Sequence, residues 1–120
     1  MKKIIIVDDS RTARIQVKNT LGCAGFEVVE AIDGKDGIAQ IEAHDDASLV
    51  LCDVNMPNLN GLDMLDALPE KTRSKMIFLM LTTEAEPRLV QRAKNLGAKG
   101  WIVKPFKPEL LVAAVKKLAG

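Results

Sequence analysis

The feature that most restricts the fold of this sequence is a set of four short apolar runs. Each ends in a residue able to do phosphate or metal chemistry: Ile4 to Val7 before Asp8 and Asp9, Leu49 to Cys52 before Asp53, Ile77 to Leu81 before Thr82, and Trp101 to Val103 before Lys104. The runs are rich in β-branched residues and nearly continuous, the pattern of strands covered on both faces, so a parallel sheet sandwiched between helices is predicted. Ligands of an open parallel sheet sit in the crevice at the carboxyl ends of its strands. Three carboxylates, a hydroxyl and an ammonium would then meet in one small volume. Carboxylates packed that closely resist joint ionisation unless a cation joins them, which makes a divalent metal the natural completion.

Between the runs lie helical patterns at Thr12 to Cys23, Lys35 to Ala43, Gly61 to Leu68, Arg88 to Leu96 and Pro108 to Leu118, so five strands alternate with five helices. Ser10 suits an N-cap, Gly25 and Gly97 suit left-handed positions after helix ends, and Pro87 and Pro108 suit first turns, where a missing N–H costs nothing. Right-handed crossovers place helices on both faces, giving an α/β doubly wound (βα)5 three-layer sandwich. No linker, repeat or second domain interrupts it.

At 120 residues the chain has the size of one domain, and 48% hydrophobic with 28% charged residues excludes disorder as its main state. Seventeen basic against sixteen acidic residues leave a net charge of +1, so no global field points to nucleic acid or an anionic membrane. The run after Met1-Lys2-Lys3 is too short for a signal peptide, and nothing approaches the roughly 20 apolar residues of a membrane span. A cytoplasmic location is expected. Cys23 and Cys52 fit no metal spacing and read as small buried hydrophobes.

Asp53 opens a turn-rich loop, Val54-Asn55-Met56-Pro57-Asn58-Leu59-Asn60-Gly61, that leads from a buried strand into a helix. A carboxylate exposed there can attack phosphorus to form an aspartyl phosphate. Mg²⁺ suits the charge so created because it takes hard oxygen ligands and is held by one or two carboxylates plus phosphate oxygens; Asp8 and Asp9 supply the others. Lys104 and Thr82 suit the equatorial oxygens of an in-line transition state. Alone, each piece has a plainer reading: Asp8 and Asp9 as loop or cap residues, Thr82 and Thr83 as caps with Glu84 and Glu86 in the first helical turn, Lys104 as polarity beside Pro105. Their joint placement at the ends of different strands favours the site.

These segments, with Leu81-Thr82-Thr83-Glu84-Ala85 and Gly97 to Phe106, span nearly the whole chain, and together they resemble the response regulator receiver domains of bacterial two-component systems, most like single-domain chemotaxis regulators of the CheY type. The resemblance implies a single receiver domain over residues 1–120 with a flavodoxin-like sheet of order 2-1-3-4-5. It implies Asp53 as phosphoacceptor from a sensor histidine kinase, Asp9 on Mg²⁺ directly, Asp8 largely through water, and the Asn55 backbone carbonyl completing the protein ligands, with Mn²⁺ as an alternative ion. Lys104 would contact the phosphoryl group beside a cis Lys104-Pro105 peptide. Thr82 would move toward the phosphoryl oxygen while Trp101, at the switch-aromatic position, turns inward.

Two residues depart from the family pattern. Thr83 stands where a small residue is usual, adding bulk beside the site, and Trp101 replaces Tyr or Phe. The expected function is a self-phosphorylating and self-dephosphorylating switch without an external substrate. Its expected output is a noncovalent partner such as a flagellar motor switch component, with a phosphatase as further partner, since no effector domain follows Leu118. A phosphorelay intermediate and a receiver cut from a larger regulator are alternatives within the class. Lys99-Gly100, where dimerising members carry an acidic pair, favours a monomer.

Other classes fit less well. A haloacid-dehalogenase-type phosphatase would want an acid two residues past the nucleophile, where Asn55 stands, and a flavodoxin-like cofactor binder would want a Ser/Thr/Gly-rich loop in place of Asp8-Asp9-Ser10-Arg11. His44 reads as an exposed loop histidine, Lys71, Arg73 and Lys75 as a solvated connector, and Met56, Met64, Met76 and Met80 as packing residues.

Overall fold

The computed structural model describes residues 2–56, 59–83 and 86–119. Met1, Pro57, Asn58, Glu84, Ala85 and Gly120 lie outside the described residues, including parts of the Asp53 loop and of the segment after Thr82. In chain order the elements are β1 (Lys3–Val7), α1 (Arg11–Cys23), β2 (Glu27–Ala31), α2 (Gly34–Ala43), β3 (Leu49–Asp53), α3 (Gly61–Ala67), α4 (Glu70–Lys75), β4 (Ile77–Thr82), α5 (Pro87–Asn95), β5 (Gly100–Val103) and α6 (Pro108–Ala119). The strands pair in the order β2-β1-β3-β4-β5, every pair parallel.

Strand residues alternate between two apolar layers. Ile5, Val7, Val50, Cys52, Phe78 and Met80 point to one face and meet Ile41 of α2, Leu62 and Leu65 of α3 and Ala93 of α5. Ile4, Ile6, Leu49, Leu51, Leu79 and Leu81 point to the other and meet Val17 and Leu21 of α1 with Leu111 and Val115 of α6. Both layers are buried, which is why the strands read as continuous apolar runs, and each fully buried aliphatic side chain contributes about 1.5–3 kcal/mol. The three-layer sandwich and the sheet order stand as expected.

Helix ends follow their local chemistry. The Ser10 hydroxyl accepts from the Ala13 N–H at 3.2 Å, and Pro87 and Pro108 open α5 and α6. Gly25 and Gly97, at φ 96° and 100°, follow α1 and α5 in the left-handed region that favours glycine. Thr82 ends β4 instead of capping α5, whose N-cap is Glu86.

Three expectations are corrected. Six helices form among the described residues, not five: Glu70–Lys75, read as a connector, is α4. It has no buried residue, so its Glu-Lys-Thr-Arg-Ser-Lys sequence carries no apolar stripe that periodicity could detect. Cys23 is exposed, because α1 buries Val17 and Leu21, and two residues beyond Leu21 the helix has turned by about 200°. His44 is half-buried as the C-cap of α2, its Nδ1 3.2 Å from Lys3 Nζ.

Candidate acidic site at the carboxyl edge of the sheet

β1 lies between β2 and β3, so the chain leaves it in one direction and returns on its other side. Ligand crevices open at such a reversal. Asp8 follows β1 and Asp53 ends β3, on neighbouring strands whose last pair is Val7 with Cys52. The carboxylates of Asp8, Asp9 and Asp53 each offer an oxygen within 4.8 Å of the others. Asp8 is fully buried and Asp53 is 5% exposed, while Asp9 faces solvent.

Asp8 is held from four directions. Its N–H donates to the Ala31 carbonyl at 3.1 Å, its Oδ1 accepts from the Ser10 N–H at 2.9 Å, its backbone carbonyl accepts from Arg14 Nη1 at 2.7 Å, and its Oδ2 accepts from Lys104 Nζ at 2.6 Å. Arg14 is itself oriented by Glu30, 3.2 Å from its Nε.

Asp53 has weaker support. Its Oδ1 accepts from the Asn55 N–H at 3.4 Å, and its Oδ2 lies 3.6 Å from Lys104 Nζ. Burial pushes its pKa from an ordinary 3.8 up to about 6; the Asp8 and Asp9 charges add to the rise, while Lys104 and the Asn55 N–H oppose it. A carboxylate so placed is stabilised by any further positive charge. The donor set therefore fits a hard divalent cation: three oxygen-bearing side chains, two of them buried, with one ammonium shared between two of them.

Lys104 reaches the crevice from the end of β5, across β4. Its N–H donates to the Thr82 carbonyl at 2.6 Å, and the Lys104-Pro105 peptide is cis. Thr82 is buried at the adjoining end of β4, one residue past the pairing of Asp53 with Leu81. Trp101 lies elsewhere, half-buried against the layer that holds Ala93 and Leu89; its indole N–H is buried without an acceptor among the described residues. Asn55 is exposed. Thus Asp8, Asp9, Asp53 and Lys104 converge, Thr82 stands at the rim, and Trp101 sits in the core layer on the strand that leads into Lys104.

Arg14 escaped the sequence reading. A signal was present: α1 carries Arg11 and Arg14 near its start and no acid in its first turn, the reverse of what the helix dipole favours. Arg14 meets the Asp8 carbonyl and the Glu30 carboxylate there.

The sequence profile of the Response regulator receiver domain family matches residues 4–116. The chain belongs to that family. Among curated receiver relatives, Chemotaxis protein CheY1 of Helicobacter pylori is 38% identical, the match covering 98% of this chain and 97% of the relative. A probable chemotaxis protein CheY of Rhizobium etli is 36% identical, with 98% and 92% covered. Among solved receiver structures, the chemotaxis response regulator CheY4 of Vibrio cholerae superposes with a TM-score of 0.90 at 38% identity, covering 98% of both chains. As a receiver domain the chain is a signalling module of the two-component type, and its fold is the CheY-like flavodoxin fold.

Proposed function

We propose that this receiver is a phosphorylation-activated switch whose phosphoacceptor is Asp53, and that its signal belongs to chemotaxis. The observation that carries the reading is the convergence of Asp8, Asp9, Asp53 and Lys104 from the ends of three separate strands, with Asp53 nearly buried and hard to ionise. Asp8, Asp9, Asp53 and the Asn55 carbonyl would hold Mg²⁺, or Mn²⁺ in its place. When bound, the ion supplies the positive charge that keeps Asp53 ionised and balances phosphoryl oxygens.

Asp53 would act as nucleophile. One Oδ lone pair forms the O–P bond as the N–P bond of a phosphohistidine on a sensor kinase breaks, and the released imidazole nitrogen takes up a proton. Lys104, at the crevice wall, meets the developing charge on an equatorial oxygen. Ser10 N–H and Arg14 keep Asp8 in place while charge accumulates. The Thr82 hydroxyl would donate to a phosphoryl oxygen, and Trp101 would respond through the strand that leads into Lys104. Hydrolysis of the aspartyl phosphate by water resets the switch, so the chain needs no external substrate.

Residues 1–120 would work as one receiver domain in the cytoplasm, monomeric, meeting a histidine kinase, a flagellar motor switch component and a phosphatase. No described helix is long and apolar enough to cross a membrane. The similarity to proteins named for chemotaxis supports the pathway. Incubation with a small acyl phosphate tests the reading by intact mass: one Mg²⁺-dependent phosphoryl group per chain is expected, and none in Asp53→Ala. Label that persists in Asp53→Ala would contradict it.

A further inference from the structure

α3 begins directly against the strand that carries Asp53. The Gly61 N–H donates to the Val54 carbonyl at 3.2 Å. A methyl group at Gly61 would strike the Asp53 carbonyl and come within 2.9 Å of Cys52 Sγ. The start of α3 therefore lies directly against the Asp53 peptide, so displacement of that peptide is felt at Gly61.

That start is closed by a reciprocal pair. Asn60 Oδ1 accepts from the Asp63 N–H at 2.8 Å, and Asn60 Nδ2 donates to Asp63 Oδ2 at 2.9 Å. The other carboxylate oxygen, Asp63 Oδ1, accepts from Arg92 Nη2 on α5 at 2.7 Å, with Asp66 Oδ2 3.8 Å from the same nitrogen. Between the Asp53 loop and α5 lies a cleft of about 410 Å³ lined by residues that include Val54, Asn55, Met56, Leu89 and Arg92. Packing is open there, so the guanidinium is a polar bridge across a gap that side chains do not fill.

From this geometry we infer that Arg92 is a positioning residue that ties the Asp53 loop to α5 and makes the two move together when Asp53 gains charge. The inference rests on Asp53 being the phosphoacceptor. Motion of the Asp53 peptide passes to Gly61, to the Asn60–Asp63 pair, and through the Asp63 carboxylate to α5, a route separate from Thr82 and Trp101. Both Arg92 and Asp63 are close to half exposed, so the pair is a modest one, and its loss is expected to reduce the response of α5 by about two- to fivefold.

Amide hydrogen exchange of the whole chain, with and without Mg²⁺ and beryllofluoride, tests this. In the wild type, exchange is expected to slow both in the loop from Val54 to Asp63 and in α5. In Arg92→Ala the loop response persists and the α5 response falls by that factor. Asp63→Asn, which can still pair with Asn60 but has no charge for Arg92, behaves the same way. A merely structural role would lower both responses together. If the wild type does not respond at all, the phosphoacceptor reading fails; if it responds and both variants protect α5 as fully as it does, only the Arg92 link is overturned.

Discussion

Lys104 Nζ lies 2.6 Å from Asp8 Oδ2, and Asp8 is fully buried. The same ammonium is 3.6 Å from Asp53, so one cation from β5 serves two carboxylates from β1 and β3. Lys104→Ala leaves Asp8 without its ammonium and removes the charge that most restrains the rise of the Asp53 pKa. A loss of about 3–5 kcal/mol at pH 7 is expected, the range for breaking a buried pair from one side. Urea unfolding measures it, and unchanged stability would mean that Asp8 is solvated.

The raised Asp53 pKa has a definite pH signature. With a folded value of about 6 against an ordinary 3.8, the folded state binds more protons than the unfolded state between those values. Stability from this group is therefore present below about pH 4 and is lost as pH rises through 6. Asp53→Asn removes the dependence and is expected to be more stable than wild type at pH 7 by about 1–3 kcal/mol. Unfolding curves from pH 4 to 8 in a chelating buffer check both statements.

Gly61 has no room for a side chain. Gly61→Ala places a methyl on the Asp53 carbonyl and 2.9 Å from Cys52 Sγ, both on a strand locked in the middle of the sheet. A cost of about 1–3 kcal/mol is expected, together with slower phosphorylation of Asp53 because its peptide is displaced. Denaturant unfolding and the rate of labelling by an acyl phosphate measure the two effects.

The cysteines should differ sharply toward a thiol reagent. Cys23 is exposed, whereas Cys52 is buried within β3 and burial holds its thiol well above the ordinary range. The native protein is expected to titrate one thiol quickly and the second only in denaturant. Two equally fast thiols would contradict the placement of Cys52.

The sheet was legible because Ile4 to Val7 and Leu49 to Cys52 are buried on both faces and leave an unbroken apolar signal. The site was legible because Asp8, Asp9, Asp53 and Lys104 each follow such a run, so the strand reading placed them at one edge without knowledge of distances. α4 was not, since its residues bury nothing and leave no period. Arg14 and Arg92 were not either: each acts by reaching a partner on another element, Asp8 and Asp63, and long side chains carry no sequence mark of where they end. Cys23 was misplaced because composition gives the usual burial of a residue type, while the turn of α1 decides its actual face.

The most direct test of the central claim is chemical location of the phosphoryl group. After reaction with an acyl phosphate and Mg²⁺, borohydride reduction converts an aspartyl phosphate to homoserine, which peptide mass spectrometry locates. The account predicts homoserine at position 53 alone, absent when Mg²⁺ is chelated. Homoserine at position 8 or 9, or none at 53 in a protein that carries phosphate, would contradict it.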